Sequence, residues 1–152
     1  MTARVMVERA WSEVLTDETM QLMLALGPGC LGLHRVEWQG SWLSADGRRL
    51  FCEFIGPDAE SVRIATRHAA ALWARTWSCE VDDAPGDADA ANVLVSGCLG
   101  SPLPGCVRSY RSPDGRHGLD LYRTVDAAVL IQMLEQAGKP FDAVWAVRRY
   151  AP

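Results

Sequence analysis

Two groups of side chains in this sequence have the types that chemistry requires. The first combines a thiol, an imidazole and a carboxylate close together in the chain, at Cys30, His34 and Glu37. Sulfur, nitrogen and oxygen donors of this kind suit nickel or zinc. The alternative for His34 is an exposed loop histidine that follows a helix, and the spacing leaves both interpretations open.

The second group consists of acidic residues that fall one to each predicted strand of the first half: Glu8, Glu37, Glu53 and Glu80. Clustered carboxylates either hold a cation or raise the pKa of one member, which then serves as a general acid or base. An internal repeat aligns Arg148 with Glu80, so a cation could steady an anion in the same pocket. We take Glu8, Glu53, Glu80 and Arg148 as candidate catalytic residues; the alternative places the acids at strand ends or a wet rim.

The repeat is visible at a displacement of 68 positions. The segment 41–48, Ser-Trp-Leu-Ser-Ala-Asp-Gly-Arg, reappears at 109–116 as Ser-Tyr-Arg-Ser-Pro-Asp-Gly-Arg, and Gly-Cys-Leu-Gly occurs at 29–32 and again at 97–100. We interpret the chain as two related halves, the second shortened and chemically altered.

The elements of the first half follow from alternation, capping and turn residues. They are a strand over 4–11, a helix from Thr16 to a stop at Gly27-Pro28-Gly29, hairpin strands over 36–43 and 49–55, a helix from Asp58 to Leu72, and a strand over 76–81. Asp46-Gly47 supplies the tight turn of the hairpin, in which we expect Trp42 to face Leu50 and Ser41 to share a face with Glu53. The order βαββαβ is the ferredoxin-like arrangement.

The second half repeats this order without its first helix, because residues 101–105, Ser-Pro-Leu-Pro-Gly, are too few and too rich in proline. Acidic and small residues with a Pro-Gly step mark a linker before it. The predicted domains are a full ferredoxin-like unit over 1–82, a linker over 83–91 and a shortened unit over 92–152.

These elements predict an α+β fold in which one face of each sheet is covered by helices. The other face would be bare in a single unit, so we expect the two units to pack as a pseudo-dimeric α+β barrel, with a pocket or a packed core between them. A homodimer of the whole chain is the alternative. Five of the six tryptophans fall at apolar positions of the pattern and fit the core or the walls of an apolar ligand pocket: Trp38, Trp42, Trp73, Trp77 and Trp145.

Composition excludes several classes of protein. A net charge of −4 with a single lysine argues against a nucleic-acid surface. No apolar run is long enough to cross a membrane or to act as a signal peptide, which predicts a cytoplasmic protein. The five cysteines lack a Cys-x-x-Cys pair and are expected to be free thiols. No nucleotide-binding motif is found, so we expect no nucleotide cofactor.

Several stretches of the first half resemble a family of small bacterial ferredoxin-like proteins of unknown function, some of which are linked to nickel binding. The resemblance spans about residues 4–81, and it is strongest at the hairpin Ser41-Trp42-x-Ser44-x-Asp46-Gly47 and the helix start at 57–63, Pro-Asp-Ala-Glu-Ser-Val-Arg. It implies nickel or a similar metal as a partner of the first half.

Three functions remain open at this point. The first is a metal-binding accessory protein that uses Cys30, His34 and Glu37. The second is a cofactor-independent enzyme, such as an isomerase or cyclase, that uses a carboxylate as acid or base. The third is a binding module without chemistry, since fold alone does not determine function. The partner is accordingly a small molecule or a metal ion.

Overall fold

A computed structural model of the protein describes residues 1–67, 71–84, 86–124 and 126–152, and within the first helix the side chains of residues 26–28 lie outside the description. The chain divides into two compact units. Unit 1 consists of Met1–Ser78 together with Tyr150–Pro152, and unit 2 consists of Cys79–Arg149. The domain limits predicted from the sequence, 1–82, 83–91 and 92–152, stay predictions, as does the pseudo-dimeric barrel.

Both units combine antiparallel strands with α-helices, which confirms the α+β class. The elements within the described residues are β1 (Ala3–Ala10), α1 (Asp17–Leu33), β2 (Glu37–Ser44), β3 (Arg49–Gly56), α2 (Ala59–Thr66), β4 (Trp73–Asp83), β5 (Val93–Ser96), β6 (Cys106–Arg111), β7 (Gly118–Tyr122), α3 (Ala127–Gln136) and β8 (Ala143–Tyr150). Strand β4 begins in unit 1 and ends in unit 2. None of the helices in the described ranges is long and apolar enough to span a membrane.

The sheet of unit 1 has β3 in the centre. Strand β1 pairs with it antiparallel from Ala3 opposite Gly56 to Ala10 opposite Arg49, and β2 pairs antiparallel with its other edge. Successive side chains of a strand point to opposite faces. One face packs with α1 and α2 into a core that includes Val5, Val7, Leu50, Cys52, Phe54, Met20 and Val62. The opposite face carries Met6, Glu8, Phe51 and Glu53.

Helix α1 is longer than the sequence predicts. It begins after the N-cap Thr16, whose Oγ1 accepts a hydrogen bond from the backbone N–H of Thr19 at 3.2 Å. The predicted stop at Gly27-Pro28-Gly29 is wrong, because the helix continues to Leu33. A proline inside a helix costs one backbone hydrogen bond. Leu31, in the part of the helix beyond the proline, packs against the core of unit 1.

Helix α2 is shorter than predicted. Asp58 caps it by accepting a hydrogen bond from the backbone N–H of Ser61 at 2.7 Å, and it ends at Thr66. Leu72, which the sequence pattern placed in this helix, lies outside it, and its backbone N–H donates to the carbonyl of Ala10 at 2.9 Å. His68 and Ala69 lie outside the described residues.

Between its turn and a β-bulge, the register of the β2–β3 hairpin differs from the prediction by one residue. Leu43 faces Leu50, Trp42 faces Phe51 and Ser41 faces Cys52, whereas Trp42 was expected opposite Leu50. Six residues separate Leu43 from Leu50, whereas seven would separate the predicted pair Trp42 and Leu50, and a β-bulge between Trp38 and Gly40 takes up the difference. Ser41 therefore lies on the helix side of the sheet, away from Glu53.

In unit 2 the strands follow the order β4, β6, β7, β5, β8, with antiparallel pairing at each step. Helix α3 covers one face through Leu130 and Leu134. Residues 97–105, all of which are described, form no helix between β5 and β6. This loop is held by Arg111, which donates to the carbonyl of Gly100 at 2.9 Å, and by the backbone N–H of Leu103, which donates to the Tyr122 hydroxyl at 3.0 Å.

Candidate functional site

A cavity of about 680 Å³ lies in unit 1 between the sheet and its helices. Its walls are mostly apolar side chains contributed by the ends of β1 and β2, by β3, by α1 and by α2. They are Trp11, Leu15, Met20, Met23, Leu24, Leu31, Val36, Trp38, Leu50, Phe54 and Ala65.

The helical and strand periodicities explain which residues of α1, β3 and β1 face the cavity. Residues 20, 23, 24 and 31 share one face of α1, because residues three, four and seven apart are neighbours on a helix. Alternate residues of β3, at 50, 52 and 54, point to the same side of the sheet. On β1 the same parity brings Arg9 into line with Val5 and Val7, so the strand places a charged side chain on an otherwise apolar face.

Polar side chains also line the cavity, among them Arg9, Ser41 and Cys52. The indole Nε1 of Trp38 donates to the Ser41 hydroxyl at 2.9 Å, and that hydroxyl donates to the Cys52 sulfur at 2.8 Å. The Arg9 guanidinium donates through Nη2 to the backbone carbonyl of Thr66 at 2.9 Å. Arg9 is 5 % exposed, so its charge lies inside the unit.

Burial sets the charges of these groups. Burial raises the pKa of the Cys52 thiol, although Arg9 and the hydrogen bond from Ser41 act to lower it. Burial also lowers the pKa of Arg9, which Cys52 opposes. An arginine starts from so high a value that it keeps its proton. The cavity thus contains a cationic guanidinium beside a neutral thiol.

The predicted metal ligands are distributed along the end of α1 and the start of β2. Cys30 is half-buried in α1, His34 is the C-cap residue of that helix, and Glu37 is exposed and lines the cavity. Within the described ranges, no group of three or more His, Cys, Asp or Glu side chains is placed to hold a metal ion. A ligand role for Cys30, His34 and Glu37 stays a prediction.

Two of the predicted catalytic acids lie together on the sheet face opposite the cavity. Glu8 and Glu53 are both 1 % exposed. The Oε2 atom of Glu8 accepts hydrogen bonds from Arg75 Nε at 2.9 Å and from Trp77 Nε1 at 2.8 Å, and Glu53 accepts from Arg4. In the part of the chain that is described, the Oε1 atom of Glu8 is buried without a hydrogen-bond partner.

The other two candidates belong to unit 2 and are exposed at Glu80 and Arg148. Glu80 lies opposite Arg111 and borders a second, more polar cavity of about 420 Å³. The four predicted catalytic residues therefore fall into two pairs, one in each unit, and their catalytic role stays a prediction.

The sequence analysis missed Arg9, Ser41 and Cys52 as cavity residues. A signal for Arg9 was present, since it is the charged member of the odd-numbered series Val5, Val7, Arg9 in a predicted strand. Ser41 and Cys52 could not be paired because the bulge that sets their register is not marked by any motif.

Residues 6–78, just under half the chain, match the family model described as "Nickel responsive protein SCO4226-like". This range contains the whole of the cavity and the three predicted metal ligands. The match relates the first part of the chain to a nickel-responsive family. Among curated proteins, none matches the chain significantly.

Two solved structures resemble the chain over most of its length. One is a protein from Lactobacillus acidophilus NCFM, provisionally assigned as a monooxygenase, with a TM-score of 0.50, 9% identity, and coverage of 97% of this chain and 93% of that one. The other, from Fusobacterium nucleatum and assigned in the same way, has a TM-score of 0.48, 9% identity, and coverage of 97% and 92%. At this identity the first likeness shows the fold alone.

Proposed function

We propose that unit 1 is a binding module for a small, largely apolar organic molecule that occupies the cavity between its sheet and its helices. The observation that carries the proposal is the cavity itself. Its volume of about 680 Å³ falls within the range of roughly 300–1,000 Å³ that is usual for small-molecule sites. Apolar walls with a few polar groups are the composition that such sites have.

Binding without catalysis is favoured by the state of the candidate reactive groups. Cys52 is held as a neutral thiol by burial, and a thiol is a much weaker nucleophile than a thiolate. The buried carboxylates Glu8 and Glu53 belong to the other face of the sheet, so they cannot act on a molecule in the cavity.

The test is a titration of the protein with decan-1-ol in which binding is monitored by tryptophan fluorescence. Trp11 and Trp38 line the cavity, so their emission should change when the cavity is filled. We expect saturable binding that Ala65→Leu abolishes, because Ala65 is fully buried in the cavity wall and a larger side chain fills the space. Ala146→Leu, the same change at an exposed position of unit 2, is the control and should bind as wild type does. Absence of saturable binding of both decan-1-ol and decanoate, the carboxylate with the same chain length, to the wild-type protein would refute the proposal.

The second candidate function is nickel binding by the same unit, and the match of residues 6–78 to a nickel-responsive family supports it. The matched range includes Cys30, His34 and Glu37, whose donor types suit nickel. Calorimetric titration of metal-stripped protein with Ni²⁺ should give binding that His34→Ala removes and His117→Ala, in unit 2, leaves intact. Equal binding by both variants would exclude His34 as a ligand.

A further inference from the structure

Arg9 is a buried cation whose hydrogen-bonding capacity is largely unused. Other arginines of unit 1 have carboxylate partners: Arg4 pairs with Glu53, Arg63 with Glu60 and Arg75 with Glu8. No such ion pair involves Arg9 among the described residues, where its acceptor is the carbonyl of Thr66. A guanidinium has five N–H donors, so most of those on Arg9 remain available at the cavity wall.

A buried charge without a counter-charge is costly, because removal from water is not repaid by a neutral carbonyl or thiol. Cys52 is neutral and Thr66 contributes a backbone dipole only. Glu37 also lines the cavity, but its side chain is exposed, and it forms no ion pair with Arg9 in the described structure. The described groups that contact Arg9, the Thr66 carbonyl and the Cys52 thiol, therefore do not neutralise its charge.

We infer that the molecule bound by unit 1 is an amphipathic monocarboxylic acid, whose carboxylate pairs with Arg9 and whose apolar body fills the remainder of the cavity. The inference rests on the proposed function and specifies the class of its ligand. A carboxylate matches the planar fork of a guanidinium through two parallel hydrogen bonds. A phosphate dianion would bring a second negative charge into apolar surroundings that offer a single buried cation, so a carboxylate is the better fit.

The experiment compares decanoate with decan-1-ol, two probes with the same apolar chain, on wild type, Arg9→Met and Arg48→Met. Arg48 is exposed in the β2–β3 turn and controls for loss of an arginine. We expect wild type and Arg48→Met to bind decanoate about tenfold or more tightly than the alcohol, as a charge-assisted pair implies. Arg9→Met should lose that preference and keep its affinity for the alcohol.

The results distinguish failure of the carboxylate inference from failure of the proposed binding function. Equal affinity of the wild-type protein for both probes, or an unchanged preference in Arg9→Met, would overturn the carboxylate inference and leave the cavity as a binding site. Failure of both probes to bind would overturn the proposed function together with the inference.

A measurement on the wild-type protein covers the case in which Arg9→Met does not fold. The side-chain Nε–Hε resonances of the arginines are recorded by NMR during titration with each probe. Decanoate should shift one buried arginine resonance that decan-1-ol leaves in place. If both probes shift it alike, or if neither does, no carboxylate pairs with Arg9 and the inference fails.

Discussion

Glu8 is a buried acidic side chain of unit 1 with two hydrogen-bond donors. It is almost fully buried, and its Oε2 atom receives two hydrogen bonds, one from Arg75 and one from the Trp77 indole. Arg75 in turn lies 5.1 Å from the centre of the Trp73 ring, which is within cation–π range. A single side chain of β4 therefore provides the counter-charge for a carboxylate of β1.

Removal of that counter-charge should destabilise the protein strongly. Arg75→Met leaves the buried Glu8 with the Trp77 N–H as its donor among the described residues, and leaving a buried carboxylate without its half-exposed counter-charge costs about 2 kcal/mol. The change in the free energy of unfolding can be measured with urea. Arg63→Met is the control, because Arg63 and Glu60 form an exposed pair that contributes little. Similar losses in both variants would show that burial of Glu8 is not what makes Arg75 important.

Glu8 could be identified as a candidate from the sequence, but its hydrogen-bond partners could not. Glu8 was a candidate because it is an acid in a predicted strand. Arg75 and Trp77 are more than sixty positions away along the chain, and only the pairing of strands brings them to the same carboxylate. The lone charge at Arg9 could have been read from alternation, whereas its lack of an acidic partner could not.

The two hairpin turns are the elements in which the halves are most alike. In the first, Ser44 Oγ donates to Asp46 Oδ1 at 2.6 Å, and the backbone N–H of Arg48 donates to the same oxygen at 3.0 Å. In the second, the corresponding bonds from Ser112 and Arg116 to Asp114 measure 2.7 and 3.0 Å. Gly47 and Gly115 adopt φ values of 72° and 73°. The duplication itself stays a prediction.

These turns should contribute to acid sensitivity. The side-chain hydrogen bond from Ser44, helped by the Arg48 N–H, lowers the pKa of Asp46 below that of an unfolded aspartate, which is about 3.9. A group with a lowered folded pKa stabilises the protein above the unfolded pKa, and this stabilisation is lost as the pH falls through the folded value. Asp46→Asn should therefore have a lower free energy of unfolding than wild type at pH about 6. The difference between the two proteins should be smaller at pH about 3.

Urea denaturation at both pH values checks this prediction. Asp114→Asn should behave in the same way, because hydrogen bonds from Ser112 and Arg116 lower the pKa of Asp114. Glu13→Gln, at an exposed position outside both turns, serves as the control. If the difference in free energy of unfolding between Asp46→Asn and wild type is the same at the two pH values, the ionised Asp46 carboxylate does not stabilise the turn.

Strand β7 depends on a glycine at its first position. A Cβ atom at Gly118 would lie 1.9 Å from the backbone carbonyl oxygen of Cys98, which cannot yield as a flexible side chain could. Gly118→Ala should lower the free energy of unfolding by about 2 kcal/mol or more, as overpacking of a fixed backbone does. In Gly29→Ala the new methyl group meets no atom within 4 Å, and the helical position should be unchanged or slightly stabilised. Thermal unfolding distinguishes the two, and equal stability of both variants would contradict the close approach.

The elements show where sequence rules hold and where packing overrides them. Alternation identified the strands, and the N-caps Thr16 and Asp58 fixed both helix starts. Helix ends were less predictable, because α1 continues through Gly27-Pro28-Gly29 while α2 stops before Leu72. The predicted hairpin register is wrong between the turn and the bulge, because the bulge has no sequence signature here; Trp38 on its other side lies opposite Phe54.

At the scale of the whole molecule, charge is divided unevenly along the chain. Residues 1–90 contain eight arginines and fourteen acidic residues, whereas residues 91–152 contain seven basic and five acidic residues. The predicted linker, 83–91, is partly tied into unit 2. Its Ala84 N–H donates to the carbonyl of Val107 at 3.2 Å, and Asp89 pairs with Arg149 at 2.8 Å. Composition alone marked this segment as a spacer, since small acidic residues are typical of linkers.

Unit 1 is completed by residues from the far end of the sequence. Tyr150 belongs to it, and its hydroxyl donates to the Asp17 carboxylate in the first turn of α1. Tyr150→Phe should lower the free energy of unfolding by about 1 kcal/mol, the typical net contribution of one hydrogen bond. Tyr110→Phe, which removes a hydroxyl from the core of unit 2, provides a comparison. Hydrogen exchange of the α1 amides should accelerate in Tyr150→Phe and not in Tyr110→Phe, and the reverse pattern would contradict the assignment.

This placement has a consequence for the order in which the chain can fold as it is synthesised. Unit 2 is one continuous segment, Cys79–Arg149, while unit 1 needs both the first residues and Tyr150. By the time Tyr150 has been made, every residue of unit 2 has already left the peptidyl-transferase centre. The half that is translated first is therefore the one that must wait for its final contact.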